Sequence, residues 1–181
     1  MTTNPGKFRE VQEQLAVAGI PLERVDRPYP EIQTTSLAEV LEFARHHLDR
    51  EVGGDYLADD SGLFVSALGG FPGVYSAHAY RTLGCKGLLR LLEGKPDRSA
   101  EFRSAFLVAV GGHHTQLTGT CRGTIAATER GTGGFGYDPI FVPEGSERTF
   151  AEMSTEEKNV VSHRGRAVQE VIRFLKSIRV R

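Results

Sequence analysis

AEFRSAFLVAVGGHHTQLTGTCRGTIAAT, residues 100–128, reads as two strands and the turn between them. The first run carries Phe, Leu and Val, and the second carries Thr and Ile. These side chains suit a pleated, half-buried surface. GGHH, residues 111–114, separates the runs, and a glycine pair between two strand-like segments predicts a β-hairpin. A hairpin this long needs something to cover it, and the rest of the chain supplies amphipathic helices.

Upstream, NPGKFREVQEQLAVAG predicts a helix with Asn4 as N-cap, Pro5 at the first helical position and Gly19 as the stop. Phe8, Val11, Leu15 and Ala18 fall on one face. SLAEVLEFARHHLD predicts a second helix. Ser36 and Glu39 stand at capping-box spacing, and Leu37, Val40, Leu41, Ala44 and Leu48 make its apolar stripe. DYLAD and LFVSAL predict short strands on either side of an acidic pair, and GLLRLLEG belongs to a short third helix. Downstream, SHRGRAVQEVIRFLKSI predicts a long helix capped by Ser162, with Val168, Val171, Ile172, Leu175 and Ile178 at helical spacing. Helices alternating with strands, followed by a hairpin, place the chain in the α/β class: a mixed central sheet flanked by helices, within one domain over residues 1–181.

Composition narrows the function. The 181 residues carry a net charge of −1, with 39% hydrophobic and 25% charged residues. There is no basic excess to hold nucleic acid or an anionic membrane, and no apolar run long enough to span one. The opening MTTNPGKFRE is polar and does not read as a secretory leader. Cys85 and Cys121 lack metal or redox spacing and read as reduced core thiols of a cytosolic protein. His46 and His47 read as surface residues of the second helix. His113 and His114 read as a solvated hairpin tip.

Four stretches carry chemistry. TTNPGK, residues 2–7, puts a helix start and the charge of Lys7 together, which suits an anion. LADDSGL, residues 57–63, offers carboxylates for a hard cation. Successive strand side chains face opposite ways, so Asp59 and Asp60 are expected not to share one cleft. Asp-Asp-Ser-Gly is also good turn chemistry. A hard cation wants a further carboxylate; Glu31 is one candidate, which spacing alone does not select. In GTGGFGYDPIF, residues 131–141, Gly133 and Gly134 admit close backbone approach, Phe135 offers a flat face and Asp138 an acceptor; that combination suits a nucleobase, or a glycine-rich turn beside core rings. In EEKNVVSHRGRA, residues 156–167, Lys158, His163 and Arg164 gather at a helix start. Lys and Arg only donate, so they suit a base edge that presents acceptors, such as a 6-keto purine.

Taken in this order, TTNPGK, PEIQ, ADDSGLFVSALGGFPGVYSA, GTGGFGYDPIF and EEKNVVSHRGRA resemble the inosine/xanthosine triphosphate pyrophosphatase family over nearly the whole chain, and PEIQ and GFPGVYSA look most like its archaeal members. The resemblance implies an elongated central sheet, a cytoplasmic homodimer, and Mg²⁺-dependent hydrolysis of ITP, dITP and XTP to the monophosphate and pyrophosphate. It implies that Thr2, Asn4 and Lys7 hold the triphosphate. Glu31 and Asp60 would bind Mg²⁺, with Asp60 also activating water and Ser61 beside it on the nucleotide. Phe135 would stack on the base, with Gly136, Tyr137 and Asp138 lining the pocket and Lys158, His163 and Arg164 reading the base edge. Members usually begin with a hydrophobic strand ahead of the phosphate loop, which this sequence lacks. Many carry a phosphate-contacting lysine in the second helix, where this chain offers only Arg45. Two other readings fit the same residues: a nucleotide-binding module without catalysis, and a pyrophosphatase for modified pyrimidine nucleotides.

Overall fold

The computed structural model describes every residue except Met1, Thr3, Arg27, Pro28, Pro30, Glu31, Val180 and Arg181. Asn4 caps the first helix, α1 (Pro5–Val17): its side-chain oxygen accepts from the amides of Gly6 at 2.9 Å and Lys7 at 3.2 Å. Ser36 caps α2 (Leu37–Val52) by accepting from the Glu39 amide at 3.3 Å, and all five residues of the expected apolar stripe are buried.

The two short strands expected around the acidic pair are one strand, β1 (Tyr56–Val65). It pairs residue by residue with β3 (Ser99–Val110), from Tyr56 opposite Ala109 to Val65 opposite Ala100. That ladder overrides the turn chemistry of Asp-Asp-Ser-Gly. Between them in sequence lie β2 (Pro72–Gly73), which pairs only with Leu63 and Phe64, and α3 (Ser76–Leu91). α3 begins well before the predicted GLLRLLEG and is interrupted at Gly84. The hairpin forms as expected between β3 and β4 (His113–Ile125). Its turn is Gly111-Gly112, both at positive φ as a tight hairpin turn requires. His113 and His114 therefore open β4 instead of forming the tip. His114 Nε2 lies 2.8 Å from Asp49 Oδ1, so it is partnered and not simply solvated.

β5 (Phe141–Pro143) joins the far edge, giving the order β2-β1-β3-β4-β5. The class is α/β as expected; within it, every pairing among the described residues is antiparallel, not mixed. The chain closes with a short helix, α4 (Thr155–Val161), which periodicity did not reveal, and α5 (His163–Arg179). Ser162 Oγ accepts from the Gly165 amide at 3.0 Å, the expected cap.

Strand alternation sorts the core. Phe106 and Val108 face α1 and α5, packing on Val11, Leu15, Val168 and Val171. Ala105, Leu107 and Ala109 face α2 and its Leu41, Ala44 and Leu48. Further along the same strands, Leu63, Val65 and Phe102 join Leu88 of α3, Phe141 of β5 and Phe150 beyond it in a third cluster. The sheet carries packing at both ends of its long strands, and Asp59 and Asp60 in the middle of β1 lie between these clusters. Cys85 and Cys121 are free and buried, as expected of core thiols; burial lifts their pKa values to about 12 and about 11. No helix among the described residues is long and apolar enough to cross a membrane.

Candidate active site

Between Tyr56 and Gly62, β1 has a described strand neighbour on one side only, because β2 pairs just with Leu63 and Phe64. The start of α1 lies over this bare edge. Alternation holds, with Asp59 opposite Phe106 and Asp60 opposite Ala105 on the other face. Yet both carboxylates reach one group: Lys7 Nζ lies 3.4 Å from Asp59 Oδ2 and 3.8 Å from Asp60 Oδ1. The expectation that they could not share a cleft fails because an open strand edge is accessible from both faces. Thr2 Oγ1 accepts from the Asn4 amide at 3.1 Å, so the loop before α1 is folded onto its own cap. The Gly6 and Lys7 amides are already bonded to Asn4, leaving Lys7's ammonium as the stronger attraction for an anion.

The cleft extends from this acidic floor to the 131–141 loop as one cavity of about 690 Å³. Its lining includes Thr2, Asn4, Lys7, Asp60, Ser61, Phe135, Gly136, Tyr137, Asp138, Lys158, His163 and Arg164. Every expected site residue within the described part of the chain is thus in one place. Glu31 lies outside the described residues. Arg45, the second-helix alternative, is turned away; Glu42 and Asp49 hold it at 2.7 and 3.3 Å.

Two glycines build the ring end of the cleft. Gly134 has φ +70, and a Cβ there would stand 2.0 Å from Asp138 Oδ2. Its absence lets Asp138 accept from the Phe135 amide at 2.8 Å. At Gly6 a Cβ would meet the Phe135 ring at 2.6 Å, so the first turn of α1 packs directly on that ring. Lys158 Nζ lies 4.7 Å from the ring centroid.

Glu10, which the sequence reading passed over, ties these parts together. Its Oε1 accepts from Lys158 Nζ at 2.7 Å and its Oε2 from Arg164 Nη1 at 2.6 Å. Lys158 also donates to Asp138 Oδ2 at 2.6 Å, and Arg164 Nη2 donates to Ser61 Oγ at 2.9 Å. Glu10 is read as one more polar position on an amphipathic helix, but it lies three residues after Lys7 and next to buried Val11, and it turns inward. Asp59, one of the acidic pair named in the sequence, joins them; its carboxylate stands between Lys7 and Arg164.

Burial by itself raises the pKa of Glu10, but the charges of Arg164 and Lys158 outweigh it and hold this carboxyl below its usual range. For Asp138 burial wins and the pKa rises, against Lys158 and the Phe135 amide. Both of those donors bind Oδ2, so a proton taken up goes to Oδ1. His163 is fully enclosed and stacked on Phe102, with ring centroids 4.6 Å apart. Burial, then the charges of Arg164, Lys158 and Lys7, push it well below 6.5, so it is a neutral imidazole. Its Nδ1 and the Nε of Arg164 are buried without a hydrogen-bond partner among the described residues.

The His163 shift makes a stability prediction. The unfolded chain takes up a proton near pH 6.5 and the folded chain does not. Stability is therefore full above that pH and falls as pH drops below it, by up to about 1.4 kcal/mol per unit. Glu10 adds a further loss below its ordinary 4.5, while Asp138 acts in the opposite sense above 3.8. Urea unfolding at pH 7 and pH 5 should show the drop, and His163→Gln should flatten it. An unchanged slope in that variant would assign the acid sensitivity elsewhere.

For a hard divalent cation the described residues offer the carboxylates of Asp59 and Asp60. Such a cation, if small, takes one or two protein carboxylates and completes its shell with phosphate and water. The pair fits that demand, and Lys7 lying between its oxygens shows that the pair already draws positive charge. No group of three or more His, Cys, Asp or Glu placed for a metal occurs among the described residues.

Residues 1–174 match the model of the Ham1 family. The chain is 50% identical over 176 residues to the dITP/XTP pyrophosphatase of Thermococcus kodakarensis, covering 97% of this chain and 95% of that one. It is 48% identical over 176 residues to the protein of the same name from Pyrococcus horikoshii, with the same coverage. Among solved structures it resembles the Ham1 protein of Staphylococcus aureus, with a TM-score of 0.83, 28% identity and coverage of 97% and 96%. It also resembles the nucleoside-triphosphatase, dITP/XTP pyrophosphatase, of Mycobacterium abscessus, with a TM-score of 0.72, 37% identity and 96% of each chain covered.

Proposed function

The chain belongs to the Ham1 family, and from that premise we propose that it hydrolyses the non-canonical purine nucleotides ITP, dITP and XTP to the monophosphate and pyrophosphate, with Mg²⁺ as cofactor. One observation carries the reading: a single cavity joins an acidic floor bearing Lys7 to a ring-and-cation end at Phe135 and Arg164. Neither half alone would specify a nucleotide; together they match its two ends.

A nucleoside triphosphate carries about four negative charges, which must be offset before water can attack it. Mg²⁺ held by Asp60, with Asp59 or Glu31, would supply Lewis acidity and charge neutralisation. Lys7, with Thr2 and Asn4 beside it, holds the phosphates. Asp60 stands on the open edge of β1, accepting from the Ser61 amide at 2.8 Å, and serves as the base that takes a proton from the attacking water. Ser61, fixed by Arg164, borders the sugar. Phe135 provides the stacking face, and Gly136 and Tyr137 close the pocket around it.

Base choice follows from donors and acceptors. Hypoxanthine and xanthine present an acceptor at O6 and a donor at N1. Arg164, Lys158 and His163 can donate to O6, and Asp138 can accept from N1–H. Adenine reverses both groups, so each contact becomes donor on donor or acceptor on acceptor. A buried mismatch costs about 1–3 kcal/mol, or roughly ten- to a hundredfold per contact. Guanine carries the same O6 and N1–H, so its rejection has to come from its 2-amino group. Pyrophosphate release from ITP, dITP, XTP, ATP and GTP, with and without Mg²⁺, tests the reading. The expected order places ITP, dITP and XTP far above ATP, with activity only when Mg²⁺ is present. Equal rates with ATP and ITP would remove the pocket assignment.

We propose that it acts as one domain over residues 1–181 and as a cytoplasmic homodimer. The free, buried thiols of Cys85 and Cys121 support the reducing compartment.

A further inference from the structure

The cations of the cleft are not equally available to a substrate. Lys7 stands between Asp59 and Asp60. Lys158 is held by Glu10 and Asp138, and Arg164 by Glu10, with Asp59 close by. His163 is neutral. Each of these charges is matched by a carboxylate or absent. One further wall of the cleft is different. It is the first part of α3, whose Ala77, His78 and Arg81 all line the cavity. Positions 77 and 81 are four apart and 78 and 81 three apart, so they share one helical face.

α3 contains His78, Arg81, Lys86 and Arg90 and no acidic residue. Among the described residues lining the cleft, Arg81 is the one full cation without a hydrogen bond or ion pair. The start of this helix is fixed in place. Ser76 Oγ accepts from the Leu63 amide at 2.8 Å and donates to the Gly73 carbonyl at 2.6 Å, tying the wall to β1 three residues beyond Asp60. At the other side Tyr80 packs edge-on against Tyr137, with centroids 5.3 Å apart. Arg81 is thus an uncommitted donor fork on an anchored wall of the cleft that Asp59 and Asp60 also line.

We infer that Arg81, with His78 one turn before it, binds the β- and γ-phosphates of the substrate and the pyrophosphate that they become. This rests on the hydrolase reading above and adds to it the group that meets the leaving half. A guanidinium binds phosphate oxygens in bidentate fashion, and its charge complements the growing charge of departing pyrophosphate. Lys158 and Arg164 deeper in the cleft cannot do this without leaving Glu10 or Asp138 buried and unpaired.

The test uses the full chain with Mg²⁺, comparing wild type with Arg81→Ala and Arg81→Lys. Arg81 is exposed and mid-turn in a helix, so alanine is tolerated there. The expected result is a KM for ITP raised about tenfold in Arg81→Ala, with inhibition by inorganic pyrophosphate weakened by a similar factor and inhibition by IMP unchanged. Arg81→Lys should recover only part of both constants, because lysine restores the charge but not the bidentate fork. If wild type hydrolyses ITP but Arg81→Ala keeps the wild-type constants for ITP and pyrophosphate, the inference is wrong and the hydrolase reading stands. An equal weakening of IMP inhibition would also overturn it, by moving Arg81 to the nucleoside half. A wild-type protein that releases no pyrophosphate from ITP would bring down both.

Discussion

Asp60→Asn is expected to cut ITP turnover by about 10²–10⁴-fold, the usual contribution of a positioned general base. Asparagine preserves the shape of the side chain and keeps an oxygen for the Ser61 amide, which Asp60 Oδ1 binds at 2.8 Å. What it removes is the basic oxygen and the charge facing Lys7, 3.8 Å away. The strand around it is held by an unbroken ladder to β3, which the substitution does not touch. The variant should therefore melt near the wild-type temperature while kcat collapses at saturating Mg²⁺. Rates near wild type would take Asp60 out of the mechanism, and joint loss of fold and activity would make its role structural.

Glu10→Ala is expected to cost about 3–5 kcal/mol of folding stability, the range for removing one partner from a buried ion pair. Two cations depend on this one carboxylate. Lys158 would keep Asp138, at 2.6 Å, but Arg164 would keep only Asp59 at 3.6 Å and the hydroxyl of Ser61. Against a typical total of about 5–15 kcal/mol this is a large fraction. Urea denaturation of wild type and variant at pH 7 measures it. A loss below about 1 kcal/mol would show that the cations find water when Glu10 is gone, and that the network is not closed to solvent.

The parts of the fold that the sequence disclosed are those whose signals are local. Asn4, Pro5, Ser36 and Ser162 mark helix ends through their own hydrogen bonds, and Gly111-Gly112 marks the hairpin through its own backbone. The misreadings have a common origin in contacts made at a distance. Asp-Asp-Ser-Gly becomes strand because β3 pairs with it. The sequence signals α3 only beyond its Gly84 interruption, since the segment from Ser76 is anchored by Gly73 and Leu63, which spacing does not reveal. The cleft follows the same rule. Phe135, Asp138, Lys158 and Arg164 stand in stretches with odd composition and were legible. Glu10 and Arg81 sit in ordinary helical patterns, and only packing shows that one is buried under two cations and the other has no anionic partner among the described residues.

The central claim is that this cleft directs water to the bond between the α- and β-phosphates. Phosphorus NMR of ITP incubated with the protein and Mg²⁺ tests it most directly. The expected products are one inosine monophosphate and one pyrophosphate for each ITP consumed, with no inosine diphosphate at any time. Inosine diphosphate with orthophosphate, or ITP bound but unchanged, would contradict it.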